Sequence, residues 1–263
     1  MKRFFLPLII AIFFFSSCNT EPGNVAPFGS VTIDVSHFIE QKLLSFDTTN
    51  GHIPPPAQLK PLVFDSCIYK NEYGEQFSVS KLQYYLSNIS FYNGSRMVYA
   101  SNKVYYIDAR ATPNFLLKLD GVPMGNYTAV SYEIGLDAPK NIQGYLPSTT
   151  ENINMEWPAS MGGGYHFMKL EGYWKNITTQ KVQTGFAMHL GGNQSLVWGA
   201  CYFSSIPISA GMVNNLYFRM NVSEWFKSPH TYSFDVNGNY TMGNDTLMGL
   251  IRDNGINVFD IHE

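Results

Sequence analysis

Met155-Glu-Trp-Pro-Ala-Ser-Met-Gly-Gly-Gly-Tyr-His-Phe-Met-Lys-Leu-Glu-Gly172 begins as a glycine-rich turn and ends as a strand. Three consecutive glycines mark a backbone that turns tightly or lies close to something else. From Tyr165 onward the residues alternate: His166, Met168 and Leu170 are expected on one face, with Tyr165, Phe167, Lys169 and Glu171 on the other. Two readings of this stretch stand side by side. The glycine loop can feed a core strand whose histidine is satisfied by hydrogen bonds, or the His and thioether can hold a soft, redox-active metal.

The same period-2 pattern recurs along the chain. Ser30 to Phe38 puts Val31, Ile33, Val35 and His37 on one face, and Tyr127 to Gly135 alternates equally well. Strand-like runs return every ten or so residues, including Phe115 to Leu119, Lys181 to Leu190, Ser195 to Phe203 and Asn215 to Val222. Turn signals such as Asn71-Glu-Tyr-Gly74 and Tyr92-Asn-Gly-Ser95 separate them. A short helix is expected around Thr246 to Arg252, and long amphipathic helices are absent. The expected fold class is all-β: an antiparallel β-sandwich with long loops and a few short helices.

Composition agrees. Of 263 residues, 45% are hydrophobic, 15% aromatic and 14% charged, against about 25% charged in average soluble proteins. Aromatic-rich, charge-poor chains favour strands and argue against disorder. The net charge is −3, which gives no electrostatic basis for nucleic-acid binding. No phosphate loop, nucleophile elbow, H-E-x-x-H or dinucleotide fingerprint is present, and no spacing selects a carboxylate pair among Glu133, Glu156 and Glu171. A binding protein is therefore expected rather than an enzyme.

The N-terminus indicates the compartment. Lys2 and Arg3 precede an apolar run from Phe4 to Phe15, and Phe15-Ser-Ser-Cys18 follows. Residues 1–17 read as a lipoprotein signal peptide, Cys18 as the lipidated first mature residue, and residues 18–28 as a tether. Residues 29–263 then form one domain, with the membrane as partner through the lipid. The expected location is the outer membrane of a Gram-negative-type bacterium, on its periplasmic or surface face. Outside the cytoplasm, Cys67 and Cys201 can form a disulfide or remain two buried thiols.

Among six histidines, His37, His166 and His189 lie in strand-like segments, while His52, His230 and His262 lie in loops or at the end. Strands of a sandwich can bring three such positions together, and copper outside the cytoplasm suits imidazole with thioether. Met161 and Met168 lie near these histidines in sequence, whereas Met188 should face away from the adjacent His189.

Met155-x-Trp157, Gly164-Tyr165, Lys169-Leu-Glu-Gly172 and Ala187-Met-His-Leu-Gly191, with upstream Lys81-Leu-Gln-Tyr-Tyr-Leu-Ser-Asn88 and closing Asp253-Asn-Gly-Ile-Asn-Val-Phe259, resemble the MbnP-like family. The resemblance covers most of the mature chain. It implies a β-rich periplasmic or surface copper-binding protein, in which copper is held by His and by a Trp oxidised to kynurenine. It also implies a partner di-haem peroxidase that installs the modification. His189, His37 and Trp157 match the family's positions. The second Trp of the family segment is missing here, and Met161 with extra glycines stands in its place, so His166 and Met161 are expected to complete the site. The competing expectation is a surface module that binds glycan or protein through exposed aromatics, with Trp157 and Trp174 as candidates.

Overall fold

A computed structural model describes residues 27–41, 58–112, 114–182 and 185–262. The signal peptide, Cys18, nearly all of the tether and His52 lie outside the described residues. No helix among those described is long and apolar enough to cross a membrane.

The described chain is mostly strand. In order, the strands are β1 (Phe28–Gln41), β2 (Gln58–Pro61), β3 (Tyr69–Lys70), β4 (Gln76–Asn93), β5 (Arg96–Ala100), β6 (Val104–Asp108) and β7 (Asn114–Pro123). They continue with β8 (Gly125–Ile134), β9 (His166–Trp174), β10 (Phe186–Gly191), β11 (Val197–Ile208), β12 (Val213–Asn221) and β13 (Phe259–His262). Two helices interrupt them, α1 (Thr150–Asn154) and α2 (Asp245–Gly255). The helix expected near Thr246 to Arg252 is therefore present, while α1 falls in a segment whose sequence reads as loop.

Each of the two sheets is built around one strand. In the smaller, β1 pairs with β12 along one edge and shares the other between β7 and β2. The β1–β12 pair is parallel, with Ser30 opposite Val213 and Phe38 opposite Asn221, so the sandwich is not purely antiparallel. In the larger sheet β4 carries β3, β5, β6, β8 and β9, and β10 and β11 extend it through β9 and β8. Tyr84 pairs with Ile107 of β6 and Met168 of β9, and Ser87 pairs with Val104 of β6 and Glu133 of β8. Strands β9 and β8 thus follow one another along the edge of β4 opposite β6. The long segment between β8 and β9 begins where they part, with Gly135 N–H donating to the Tyr85 carbonyl.

The inner faces meet as the alternation requires. Val31, Ile33, Val35 and Ile39 of β1 are fully buried, as are Val130 and Ile134 of β8, Met168 and Leu170 of β9, and Met188 and Leu190 of β10. Segment 80–86, readable as helix or strand, is strand: its run Tyr84-Tyr85-Leu86 is buried on both faces, which only a central strand allows.

A buried carboxylate ties the C-terminal loops to this framework. Glu75 accepts from Asn71 Nδ2 at 2.5 Å and from Ser233 Oγ, Phe234 N and Asp235 N at 2.9 Å each. These four donors offset the cost of burying the charge. Glu75→Gln places an amide N–H against donors, and a loss of about 2–3 kcal/mol in stability is expected. A urea titration of the variant against the parent protein measures it.

Candidate metal centre

Strands β9 and β10 pair antiparallel, with Ala187 opposite Glu171, His189 opposite Lys169 and Leu190 opposite Met168. The register then slips, and Gly191 lies opposite His166 rather than Phe167. This bulge, one extra residue on β9, re-aims the side chain at its end. Sequence alternation put His166 on the face of Met168. Instead its ring stands 5.2 Å from that of His189, edge to face at 85°, while Met168 is packed in the core.

The preceding glycine loop supplies the cover. His166 N–H donates to the Met155 carbonyl and Trp157 N–H to the Gly164 carbonyl, which closes residues 155–166 into a narrow loop. Gly162, Gly163 and Gly164 all have positive φ (103°, 69° and 86°), the conformation that glycine tolerates best. The Trp157 indole donates from Nε1 to the Met161 carbonyl at 3.1 Å, and its ring stands 4.7 Å from His166. It also lies on Gly191, where a Cβ would come within 2.2 Å of the Trp157 Cε3. On the outer side of β10, Thr241 Oγ1 accepts from His189 N and donates to His189 O, both at 2.8 Å.

The hydrogen bonds set the two tautomers. His166 Nδ1 faces the Met155 carbonyl at 3.2 Å, so Nδ1 carries the proton and Nε2 keeps its lone pair. His189 Nε2 faces Glu171 Oε1 at 3.0 Å, so Nε2 carries the proton. His189 Nδ1 is buried and has no partner. Each imidazole thus has one nitrogen held by an oxygen, the arrangement typical of histidines that ligate metals through the other. Burial, with lesser contributions from Lys169 and His189, brings His166 down to about 3, so it is neutral near pH 7. The His189 hydrogen bond and the Lys81 ammonium, 3.0 Å away, hold the Glu171 carboxyl at about 2 despite partial burial. The residues present fit a metal ion that accepts imidazole nitrogen donors.

Other expected members of the site lie elsewhere. His37 sits between the sheets, with Nε2 at 2.9 Å from the Tyr84 hydroxyl. It does not join the His166–His189 pair, because β1 belongs to the smaller sheet and turns this face inward. Among the described residues, no group of three or more His, Cys, Asp or Glu side chains is placed to share a metal. Met168 is core, and Met161 contributes its carbonyl to Trp157 while its methyl group lies against Gly243. Trp157 and Trp174 are both buried, which corrects the expectation of an exposed platform made from them. Cys67 and Cys201 are separate free thiols, and burial pushes Cys201 up to about 11. The residue that sequence reasoning did not select is Glu171. It stands one step from His189 only through the β9–β10 register, which no local motif encodes.

A family model described as MbnP matches residues 29–245. The chain belongs to the MbnP family. Among solved structures, MbnP from Methylosinus trichosporium aligns at 11% identity with a TM-score of 0.49, over 89% of this chain and 98% of that one. A comparison with curated proteins finds no match. Within this MbnP-family chain, Trp157, His166, Glu171 and His189 are the residues that the fold gathers at the end of β9 and β10.

Two outcomes are expected. Gly191→Ala should push the indole off the strand, costing about 1–3 kcal/mol and changing Trp157 fluorescence, as read by denaturation and emission spectra. His37, pulled down to about 4 mainly by burial, should make the fold acid-sensitive. Below its unfolded value near 6.5 the unfolded chain binds a proton that the native chain refuses, so stability falls as pH drops from about 6.5 to 4. The slope should flatten in His37→Gln by at most about 1.4 kcal/mol per pH unit, measured as urea midpoints across that range.

Proposed function

We propose that this MbnP-family protein is a lipid-anchored, extracytoplasmic copper-binding protein that captures or buffers the metal through His166 and His189. The observation that carries the reading is the pair of imidazole rings at 5.2 Å, each with one nitrogen held by an oxygen. Copper supplies a soft cation that binds nitrogen donors more tightly than other divalent first-row metals do, and in its monovalent state it accepts as few as two. The chain's own residues do the rest. The Met155 carbonyl and the Glu171 carboxylate fix the tautomers, and Lys81 keeps that carboxylate charged. The indole of Trp157 covers His166 and excludes water from that side.

We infer the remaining assignments from the N-terminal sequence and the family resemblance. Cys18 carries the lipid, the mature protein sits on the outer membrane, and it acts by binding rather than by catalysis. A di-haem peroxidase is its redox partner. Trp157, in ring contact with a histidine of the pair, is the side chain on which such an oxidant would act.

Copper(I) competition against a chromogenic chelator tests the site. His166→Ala and His189→Ala should each weaken binding by at least 100-fold, and Glu171→Gln by about 10–100-fold. His37→Gln should leave affinity unchanged. Retention of full affinity in both His→Ala variants would remove the basis of the proposal. For the anchor, Cys18→Ala should move the protein from the membrane to the soluble fraction. The mass of the Trp157 peptide, measured with and without the peroxidase, reports the oxidation, and an unshifted mass in its presence would exclude that partner's role.

A further inference from the structure

On the outer face of the larger sheet, away from any histidine, a row of small side chains crosses four strands. Ala100 of β5 pairs with Ser90 of β4, Ser90 with Ser131 of β8, and Ser131 with Ala200 of β11. The neighbouring rows are tall. On one side Tyr92, Ala129 and Tyr202 are paired across β4, β8 and β11. On the other, Glu133 stands opposite Trp198. Small residues between large ones make a trench running across the strands, and a cavity of about 310 Å³ lies over its Ala100–Ser90–Ser131 part, walled by Tyr92 and Trp198. That is the lower end of the range for small-ligand sites.

The polar wall is preformed. Strand β4 carries an extra residue between Ser87 and Ser90, and Asn88 there adopts φ 49°, which is strained for a residue other than glycine. Its amide donates to Glu133 Oε2 at 2.8 Å and accepts from Lys140 Nζ at 2.7 Å, and Lys140 also binds Asp137. Glu133, Lys140 and the nearby Asn102 all line the cavity. Trp198 is 54% exposed, whereas Trp157, Trp174 and Trp225 are 6% exposed or less. Tyr202 is exposed as well.

We propose that this trench binds a neutral oligosaccharide. The apolar C–H face of a pyranose stacks on the Trp198 indole, with Tyr92 on the opposite wall. Its hydroxyls, each both donor and acceptor, match the amide, carboxylate and ammonium of the Asn88–Glu133–Lys140 network. A floor of Ala and Ser lets a flat ring lie close to the sheet. The only ammonium in the cavity is already paired with Asp137, which favours an uncharged ligand over an acidic one. No residue is shared with the His166–His189 pair, so the two proposals stand or fall separately.

The test uses the full chain in mild detergent and a panel of neutral glycans: soluble xylan, mannan and β-glucan in affinity electrophoresis, then hexaoses of the retained class in a fluorescence titration. Trp198 is the exposed one of the four tryptophans, so binding should appear as a change in the solvent-exposed part of the emission. The expected result is retention on at least one glycan. Trp198→Ala should lower affinity at least tenfold, Trp198→Tyr should partly restore it, and Ala100→Arg, which fills the floor, should abolish it. Unchanged circular dichroism would show that the exposed variants remain folded. No retention on any member of the panel overturns the proposal, as does retention that persists in both Trp198→Ala and Ala100→Arg.

Discussion

Hydrogen-bond saturation of one long strand organises this protein. The eighteen residues of β4 are bonded along both edges, by β9 and then β8 on one side and by β3, β6 and β5 on the other. A strand so enclosed can bury both of its faces, and Tyr84, Tyr85 and Leu86 do so. Because β9 and β8 share one edge in succession, they part near Tyr85, and the segment from Gly135 to Tyr165 fills the space between them. The glycine loop and Trp157 are the end of that segment. The metal-type site is thus a consequence of how β4 distributes its partners.

Two irregularities in otherwise regular sheets produce the two chemically interesting places. The extra residue in β9 turns His166 from the core side to the side of His189 and Trp157. The extra residue in β4 turns Asn88 into the hydrogen-bond centre of the outer trench. In both cases a period-2 pattern would have paired the side chain with the wrong neighbours, and one unpaired residue changes its direction. The close contact of Trp157 with Gly191 then holds the first site together: the indole occupies the space where any other residue would place its Cβ.

Electrostatics prepare His166 and orient His189 for a cation. Burial disfavours the imidazolium of His166, and the Glu171–Lys81 pair supplies an anchor for His189 at the protein's edge. His37 shares the first property but lacks the second, since among the described residues the Tyr84 hydroxyl, not a carboxylate, is its hydrogen-bond partner. That difference separates a histidine suited to a metal from one accommodated in a core.

The strands themselves, the mainly antiparallel sandwich, the inward face of Val31, Ile33, Val35 and His37, the C-terminal helix and the family were legible in the sequence. They depend on alternation, turn residues and local motifs, which act over a few positions. The parallel pairing of β1 with β12, the exclusion of His37 and Met168 from the site, the entry of Glu171 and the free state of both described thiols were not. Each depends on which strand lies beside which and in what register, and that is decided by burial and hydrogen bonding summed over residues far apart in the chain. Sequence by itself named His166, His189 and Trp157. Only the tertiary structure, through a one-residue bulge and a glycine that admits an indole, brought those three together.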